Sequence, residues 1–221
     1  MSTSTLAHIP AGPVTLEGML EIPEHAVGLV LFAHGSGSSR LSPRNNYVAG
    51  VLRQAGVGTL LMDLLTPAED RDYDRRFDIA LLTQRLLDAA RWVVSQPALP
   101  ALHDLPLGFF GASTGAAAAI EAAAMLGPDA KAVVSRGGRP DLASREALGS
   151  VMAPTLLLVG GLDDVVIDLN RQAYARLQCE KELVIVPGAT HLFEEPGTLE
   201  EVARQAAAWF AKHLPTQQRP L

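Results

Sequence analysis

The sequence has little of the residue types that support disulfide frameworks, cysteine-based metal clusters or nucleic-acid-binding surfaces. Its 221 residues include one cysteine, Cys179, which excludes an intramolecular disulfide and a metal site built from several cysteines. Lysine and arginine total 18 against 24 aspartates and glutamates, so nucleic acid and anionic membranes are unexpected as partners. Hydrophobic residues make up 48% of the chain, which excludes a largely disordered protein.

Long hydrophobic runs are also absent. Apolar runs such as GLVLFA at 28–33 are far shorter than the roughly 20 residues that a membrane-spanning helix needs. The N-terminal segment MSTSTLAHIPAGP has neither the basic region nor the apolar region of a secretory signal. We therefore expect a cytoplasmic protein that acts on a small molecule, without contact to a membrane or nucleic acid, as a monomer or small homo-oligomer.

Short apolar runs bounded by glycine or proline alternate with longer segments of helical periodicity. This alternation predicts an α/β fold, with a mostly parallel sheet and helices on both faces. The length favours one domain over 1–221. Strands are predicted at 14–22 (an edge strand or hairpin arm), 28–33, 57–62, 105–111, 131–135, 154–159 and 182–186. Helices are predicted at 44–54, 77–95, 114–126, 167–178 and 198–214, with a solvated loop at 66–76 and a loop with a short helix at 136–149.

A G-x-S-x-G motif occupies 111–115 and reads GASTG. It directly follows a predicted buried strand and opens a predicted helix, which is the context of a nucleophile elbow. Flanking glycines avoid side-chain clashes in such a tight turn, and the positive end of the helix dipole favours an oxyanion. We therefore predict that Ser113 is a nucleophile. The alternative is a glycine-rich turn with a serine N-cap.

A serine nucleophile needs a base, and the base needs an orienting acid. In the chain order of α/β-hydrolases the histidine comes after the serine. Only His191 and His213 follow Ser113. His191 comes after the last predicted strand, at the sheet edge where ligands and catalytic groups collect, so we predict that it is the base. His213 is expected at the solvent-facing end of the last helix. His34 is expected to form hydrogen bonds within its own loop.

The acid is expected directly after the strand at 154–159, where the sequence reads GGLDDVVID. Asp163 is earliest in this turn and is the predicted acid. Asp164 is the alternative, because neighbouring side chains in an extended turn point apart and only one of the two can face His191. Asp168 is expected to cap or begin the helix that follows.

An acyl-transfer enzyme also needs hydrogen-bond donors for the oxyanion. The backbone N–H of Thr114, directly after the nucleophile, is one predicted donor. The loop HGSGSS at 34–39 follows the strand at 28–33, and its glycines allow the backbone to approach a ligand. The backbone N–H of Ser36 is the predicted second donor, with that of Gly37 as the alternative. The loop lacks the GK[ST] ending of a phosphate-binding P-loop.

Four segments together resemble the α/β-hydrolase superfamily, and within it the small, lidless dienelactone-hydrolase-like members. These are the HG pair at 34–35, the elbow at 111–115, the GGLDDVV turn at 160–166 and PGATHLF at 187–193. The resemblance covers nearly the whole chain and implies an α/β-hydrolase fold with no large cap domain. In the family's G-G-x-D-x-x-V pattern the acid falls on Asp163, and the family's histidine falls on His191.

The sequence departs from dienelactone hydrolases at two points. They carry a cysteine nucleophile where this chain has Ser113, and a glutamate near the first oxyanion loop where it has HGS at 34–36. The resemblance therefore implies the fold and the reaction type: hydrolysis of small esters, lactones or thioesters, without metal or cofactor. We expect a carboxylic-ester hydrolase. A thioesterase or peptidase with the same triad, and a non-catalytic scaffold used for binding, are the alternatives.

Two arginines, Arg136 and Arg139, follow the predicted strand at 131–135 and are expected at the same sheet edge as the triad. Both are candidates to bind a substrate carboxylate. The alternative is that they pair with nearby acids such as Asp141. Arg40 and Arg44, beyond the HG loop, are further candidates for the same role.

Overall fold

The computed structural model describes residues 3–96 and 102–215. Its sheet consists of β1 (Thr3–Ala11), β2 (Val14–Ile22), β3 (Leu29–Ala33), β4 (Gly58–Met62), β5 (Leu107–Ala112), β6 (Ala130–Arg136), β7 (Thr155–Gly160) and β8 (Lys181–Val186). The eight strands lie in the order β1-β2-β4-β3-β5-β6-β7-β8. β2 is antiparallel to both β1 and β4, and the other neighbours are parallel. The predicted mostly parallel sheet is confirmed.

Helices cover both faces of this sheet, as predicted. They are α1 (Pro43–Gln54), α2 (Ile79–Val94), α3 (Thr114–Leu126), α4 (Arg145–Ser150), α5 (Asp164–Arg176) and α6 (Thr198–His213). In β3, Leu29 and Leu31 pack into the core under α2 and α3, whereas Val30 and Phe32 pack into the core under α1 and α6. Successive side chains point to opposite faces, so a strand covered on both faces is apolar throughout. Among the described residues, no helix is both long and apolar enough to cross a membrane.

The first strand of the N-terminal hairpin, β1, is the main element that the prediction missed. The segment 14–22 is confirmed as a hairpin arm, but it is not an edge strand, because β1 pairs with it on the outer side. The inward side chains of β1 are Ala7, Ile9 and Ala11. Two of these three are alanines, which give a weak hydrophobic alternation. The turn residues GP at 12–13 were the available signal for a hairpin.

Three further predictions are corrected by the structure. α5 begins at Asp164 rather than at 167, so Asp168 does not cap this helix. The exposed carboxylate of Asp168 instead pairs with Arg171, at 3.2 Å. The side chain of His213 is 9% exposed and its ring lies on Trp209, so it does not face solvent. The segment 66–76 contains short 3-10 turns and is anchored to the core rather than simply solvated.

The anchor of this segment is an ion pair between the half-buried Glu69 and the buried Arg85. The Glu69 carboxylate accepts a hydrogen bond from Arg85 of α2 at 2.8 Å, and the two side chains are only 11% and 5% exposed. Arg85 also donates to the backbone carbonyl of Ala11, which connects the pair to the hairpin. Burial acts to raise the pKa of Glu69, but hydrogen bonds from Thr66 and the charge of Arg85 outweigh it and hold the pKa below its ordinary value.

We expect Glu69→Gln to lower the free energy of unfolding by about 3 kcal/mol, because Arg85 would stay buried without a counter-charge. The measurement is urea denaturation at neutral pH. Glu201→Gln is the control, since Glu201 pairs with Arg204 on the exposed surface of α6 and its loss should change stability by about 1 kcal/mol or less. Equal losses in the two variants would contradict the anchoring role. Because the pKa of Glu69 is lowered on folding, its contribution is present above the ordinary carboxyl pKa and is lost as the pH falls through the folded-state value.

Candidate active site

Ser113 forms the turn between β5 and α3. Its φ of +50° and ψ of −121° lie outside the regions that non-glycine residues normally adopt. The turn is held on both sides, because the Ser113 N–H donates to the carbonyl of Arg136 at 3.2 Å and the Ser113 carbonyl accepts from the N–H of Arg139 at 3.0 Å. The Ser113 side chain makes no capping hydrogen bond to α3. The tight strand-to-helix turn is therefore confirmed, and the N-cap alternative is not supported.

Gly115 allows the first turn of α3 to pack directly against the end of β3. A Cβ atom on Gly115 would lie 2.2 Å from the carbonyl oxygen of Ala33 and 2.6 Å from that of His34, which is closer than real Cβ contacts come. Because Gly115, the second glycine of the motif, has no side chain, the elbow can pack against the loop that follows β3.

The strained backbone of Ser113 predicts an unusual order of stability for two variants at this position. A non-glycine residue in such a conformation costs about 1–3 kcal/mol, and glycine relieves this strain while losing about 0.5–1 kcal/mol more entropy on folding. We expect Ser113→Gly to be more stable than Ser113→Ala by about 1 kcal/mol, or roughly 2–4 °C in Tm. Thermal denaturation of both variants measures this difference. A more stable alanine variant would contradict the strain.

Asp163 and His191 are brought together by the loops after β7 and β8. His191 Nδ1 lies 2.6 Å from Asp163 Oδ2. A carboxylate only accepts hydrogen bonds, so Nδ1 carries the proton and Nε2 is left as the acceptor. Asp163 occupies the N-cap position of α5 but its side chain forms no capping bond, and the neighbouring Asp164 is exposed in the first turn. The geometry favours Asp163 over Asp164 as the partner of His191.

Ser113 and His191 open onto the same cavity, of about 260 Å³, which we call the Ser113 cavity. It lies at the carboxyl ends of the parallel strands, where ligands bind in open α/β sheets. Its lining residues come from the loop after β3, the start of α1, the elbow, the end of β6 and the His191 loop: Gly35, Ser36, Ser38, Ser42, Arg44, Ala112, Ser113, Arg136, His191 and Leu192. A larger cavity of about 480 Å³ between α2 and α3 is lined by residues such as Leu87 and Met125, away from Ser113 and His191.

The loop at 34–39 turns tightly beside Ser113. The Ser38 N–H donates to the Gly35 carbonyl at 3.2 Å, and Gly37 has φ of +67°, which is typical of the third position of a type II turn. Among the hydrogen bonds of the described residues, the N–H groups of Ser36 and Thr114 have no acceptor. Both predicted oxyanion donors are thus free to bind a ligand. The alternative donor, Gly37, lies in the same turn.

His34 is buried beneath this loop and orients it. The Leu64 N–H donates to His34 Nε2 at 3.0 Å, so Nδ1 carries the proton and donates to the Gly35 carbonyl at 2.8 Å. Burial lowers the pKa of His34, which favours the neutral ring. Its expected role as a hydrogen-bonding residue of the loop is confirmed.

The arginines after β6 differ sharply in their surroundings. Arg139 donates two hydrogen bonds to Asp141, at 2.8 and 2.7 Å, so for this residue the pairing alternative is correct. Arg136 is buried and lines the Ser113 cavity. Of the two arginines beyond the HG loop, Arg40 pairs with Asp63 and Glu17, whereas Arg44 lines the cavity.

Ser42, directly before α1, also lines the cavity, and the sequence reasoning did not name it. Ser42 caps the helix by accepting a hydrogen bond from the Asn45 N–H at 3.3 Å, and Pro43 follows it. A serine cap followed by proline at the first helical position was the signal for a helix start here. Within residues 3–96 and 102–215, no group of three or more His, Cys, Asp or Glu side chains is arranged to hold a metal ion.

Comparison with solved structures gives a match over nearly the whole chain. A dienelactone hydrolase from Anabaena variabilis is 53% identical with a TM-score of 0.91, and the match covers 96% of this chain and 99% of that protein. The chain belongs to the dienelactone-hydrolase-like α/β-hydrolases. XC6422 from Xanthomonas campestris, described as an α/β serine hydrolase without lid, shares the dienelactone-hydrolase-like fold at 18% identity and a TM-score of 0.78, over 97% of this chain and 96% of that one.

Two curated Mycobacterium tuberculosis proteins, from strains CDC 1551 and H37Rv, are also similar to this dienelactone-hydrolase-like chain. They are provisionally named phosphoribosyl transferases and are 58% identical over 206 residues, which is 93% of this chain and 46% of theirs. The chain therefore spans about half the length of these relatives. No protein-family model matches the chain.

Proposed function

We propose that this protein is a serine hydrolase that cleaves small carboxylic esters, lactones or thioesters. The observation that carries the proposal is the 2.6 Å hydrogen bond between Asp163 and His191, beside the cavity onto which Ser113 opens. A nucleophile, a base and an orienting acid on three separate loops form the constellation that acyl transfer requires. The 53% identical relative, described as a dienelactone hydrolase, supports hydrolysis as the reaction.

In the proposed mechanism, Ser113 Oγ attacks the acyl carbon while His191 Nε2 takes its proton. Asp163 holds the Nδ1–H tautomer and stabilises the imidazolium. The oxyanion accepts hydrogen bonds from the N–H groups of Thr114 and Ser36. The intermediate then collapses, the alcohol or thiol leaves with the proton from His191, and Ser113 remains acylated. Water, deprotonated by His191, attacks the acyl group and restores the free serine.

The size of the Ser113 cavity predicts short acyl chains. At about 260 Å³ it is smaller than typical pockets for drug-sized ligands, which range from roughly 300 to 1,000 Å³. We therefore expect the acetyl and butyryl esters of p-nitrophenol to be hydrolysed faster than the octanoyl ester.

The test combines turnover with covalent labelling. Hydrolysis of p-nitrophenyl acetate, butyrate and octanoate is measured, and the residue modified by a fluorophosphonate is located by mass spectrometry. Turnover together with modification of Ser113 supports the proposal. Faster turnover of acyl-CoA than of the p-nitrophenyl esters would favour a thioesterase. The absence of both turnover and labelling would contradict the proposal and favour a binding scaffold.

The provisional name of the mycobacterial relatives suggests a different reaction, the transfer of a phosphoribosyl group. We favour hydrolysis for this chain for two reasons. The match covers less than half of those proteins. The hydrogen-bonded Asp163 and His191 beside Ser113 also suit acyl transfer through a covalent intermediate.

A further inference from the structure

One peptide group in the segment after β6 connects Ser113 to the helix α5. It consists of the Gly138 carbonyl and the Arg139 N–H, and we call it the 138–139 peptide. Its N–H donates to the Ser113 carbonyl at 3.0 Å, and its carbonyl accepts a hydrogen bond from Asn170 Nδ2, also at 3.0 Å. A trans peptide is planar, and its C=O and N–H point in opposite directions. The Asn170 amide therefore fixes the direction of the N–H that holds Ser113.

Asn170 is fully buried, and both of its amide hydrogens are used. Besides the 138–139 peptide, its Nδ2 donates to the Val166 carbonyl, one turn earlier in α5, at 2.8 Å. Among the hydrogen bonds of the described residues, the buried Gly138 carbonyl accepts one from Asn170 alone. Loss of the Asn170 amide would leave this carbonyl buried without a donor, which is costly, so the 138–139 peptide would be free to rotate.

The same segment also lies against His191. A Cβ atom on Gly137 would lie 3.0 Å from the backbone oxygen of His191 and 3.6 Å from Cε1 of its ring. A Cβ atom on Gly138 would lie 1.9 Å from the hydroxyl oxygen of Ser135, so no larger residue fits there. The backbone at 137–138 is therefore packed against both His191 and the end of β6, and a rotation of the 138–139 peptide would disturb the histidine as well as Ser113.

Asn170 belongs to the helix that begins directly after Asp163. Asp163 is the N-cap residue of α5, and its carbonyl accepts a hydrogen bond from the Ile167 N–H at 2.9 Å. Asn170 lies about two turns further along the same helix. Because each turn of the helix is hydrogen-bonded to the next, a shift at Asn170 is passed on to Asp163. Asn170 thus joins the helix that carries Asp163 to the segment that holds Ser113.

We propose that Asn170 is a positioning residue that sets the placement of Ser113 relative to the pair formed by Asp163 and His191. This inference rests on the proposed hydrolase activity, because it assigns a role in that reaction. Asn170 is not part of the wall of the Ser113 cavity and acts through the 138–139 peptide. Nucleophilic attack requires reacting atoms held about 3–3.5 Å apart, and a displacement of about 1 Å caused by a distant mutation can cost about 100-fold in rate.

The kinetic test uses Asn170→Leu, whose side chain has the same branching and the same number of non-hydrogen atoms but no hydrogen-bond donor. We expect kcat for p-nitrophenyl butyrate to fall about 10- to 100-fold, with the loss in kcat rather than in KM, because the variant disturbs the alignment of the reacting groups and not the binding of the ester. Asn170→Ala, which adds no bulk, takes its place if the leucine variant does not fold.

Thr155→Val is the matched control for the loss of a buried hydrogen bond. Thr155 is fully buried and donates to the Ala153 carbonyl at 2.9 Å, but it begins β7, at the opposite end of the sheet from Ser113. This variant should lose stability, measured as Tm, while kcat stays equal to that of the wild type. If the Asn170 variant also lowers Tm but keeps the kcat of Thr155→Val, the bond is only structural and the positioning role is overturned, while the hydrolase proposal stands.

Amide hydrogen exchange, followed by NMR, tests the link to Ser113 without any substrate. In the Asn170 variant the Arg139 N–H should exchange about 10-fold faster than in the wild type, as the loss of one hydrogen bond predicts. The Gly137 N–H is the internal reference, because it donates to the Leu158 carbonyl of β7 at 2.8 Å and should keep its rate. Equal changes at the two amides, or no change at either, would overturn the proposal. If the wild type hydrolyses none of the esters, the hydrolase proposal fails, and the exchange rates alone decide whether Asn170 positions Ser113.

Discussion

Replacing Ser113 with alanine is expected to lower kcat/KM for p-nitrophenyl butyrate by on the order of 10³-fold or more. The variant loses the oxygen that is proposed to form the acyl-enzyme, while the N–H groups proposed as oxyanion donors remain. Any remaining hydrolysis would come from water attacking a bound and polarised ester. Initial rates for wild type and variant, measured side by side, give the ratio directly.

Ser150→Ala is the control for this experiment, because Ser150 is an exposed serine at the end of α4. Its rate should equal that of the wild type. Equal activity of Ser113→Ala and the wild type would mean that Ser113 is not the nucleophile. Fluorophosphonate labelling provides a second check, since the alanine variant should no longer be modified.

The second large effect is expected at Asp163, the proposed acid of the triad. Asp163→Asn should lower kcat on the order of 10²- to 10⁴-fold, because an amide cannot stabilise the imidazolium and its NH₂ group favours the wrong tautomer of His191. Asp164→Asn should change kcat by about threefold or less, since Asp164 is exposed and only Asp163 hydrogen-bonds to His191.

The adjacent pair makes this a matched comparison. Both substitutions remove one negative charge at nearly the same place, so general electrostatic effects on the cavity cancel. Steady-state kinetics of the two variants on one ester, with Tm as a check on folding, distinguish the roles. A large loss in Asp164→Asn with a small loss in Asp163→Asn would transfer the role of the acid to Asp164.

Most of the sheet could be predicted from sequence because its central strands are buried on both faces. Segments such as LVLFA in β3 and GTLLM in β4 are short apolar runs between helical segments, and this alternation is typical of buried parallel strands. The hairpin strand β1 could not be predicted in the same way, since its buried face relies mostly on alanines. The start of α5 was predicted too late, which gave Asp168 a capping role that it does not have.

The candidate site was predictable where a residue type coincides with the end of a strand. Ser113, Asp163 and His191 each follow a predicted strand, and parallel strands bring their carboxyl ends together. The difference between Arg136 and Arg139 was not predictable, because both lie near Asp141 in the sequence. Only the fold shows that Asp141 engages Arg139 and that Arg136 is buried in the cavity wall.

The two backbone hydrogen bonds that hold Ser113 have a consequence for how this scaffold can change length during evolution. They join Ser113 to the carbonyl of Arg136 and the N–H of Arg139, so the spacing between these two residues is fixed by the position of Ser113. An insertion between 136 and 139 would displace Ser113. Proteins that enlarge this scaffold with a lid are therefore expected to gain the additional residues outside this segment, for example beyond Asp141, where the chain forms the short surface helix α4.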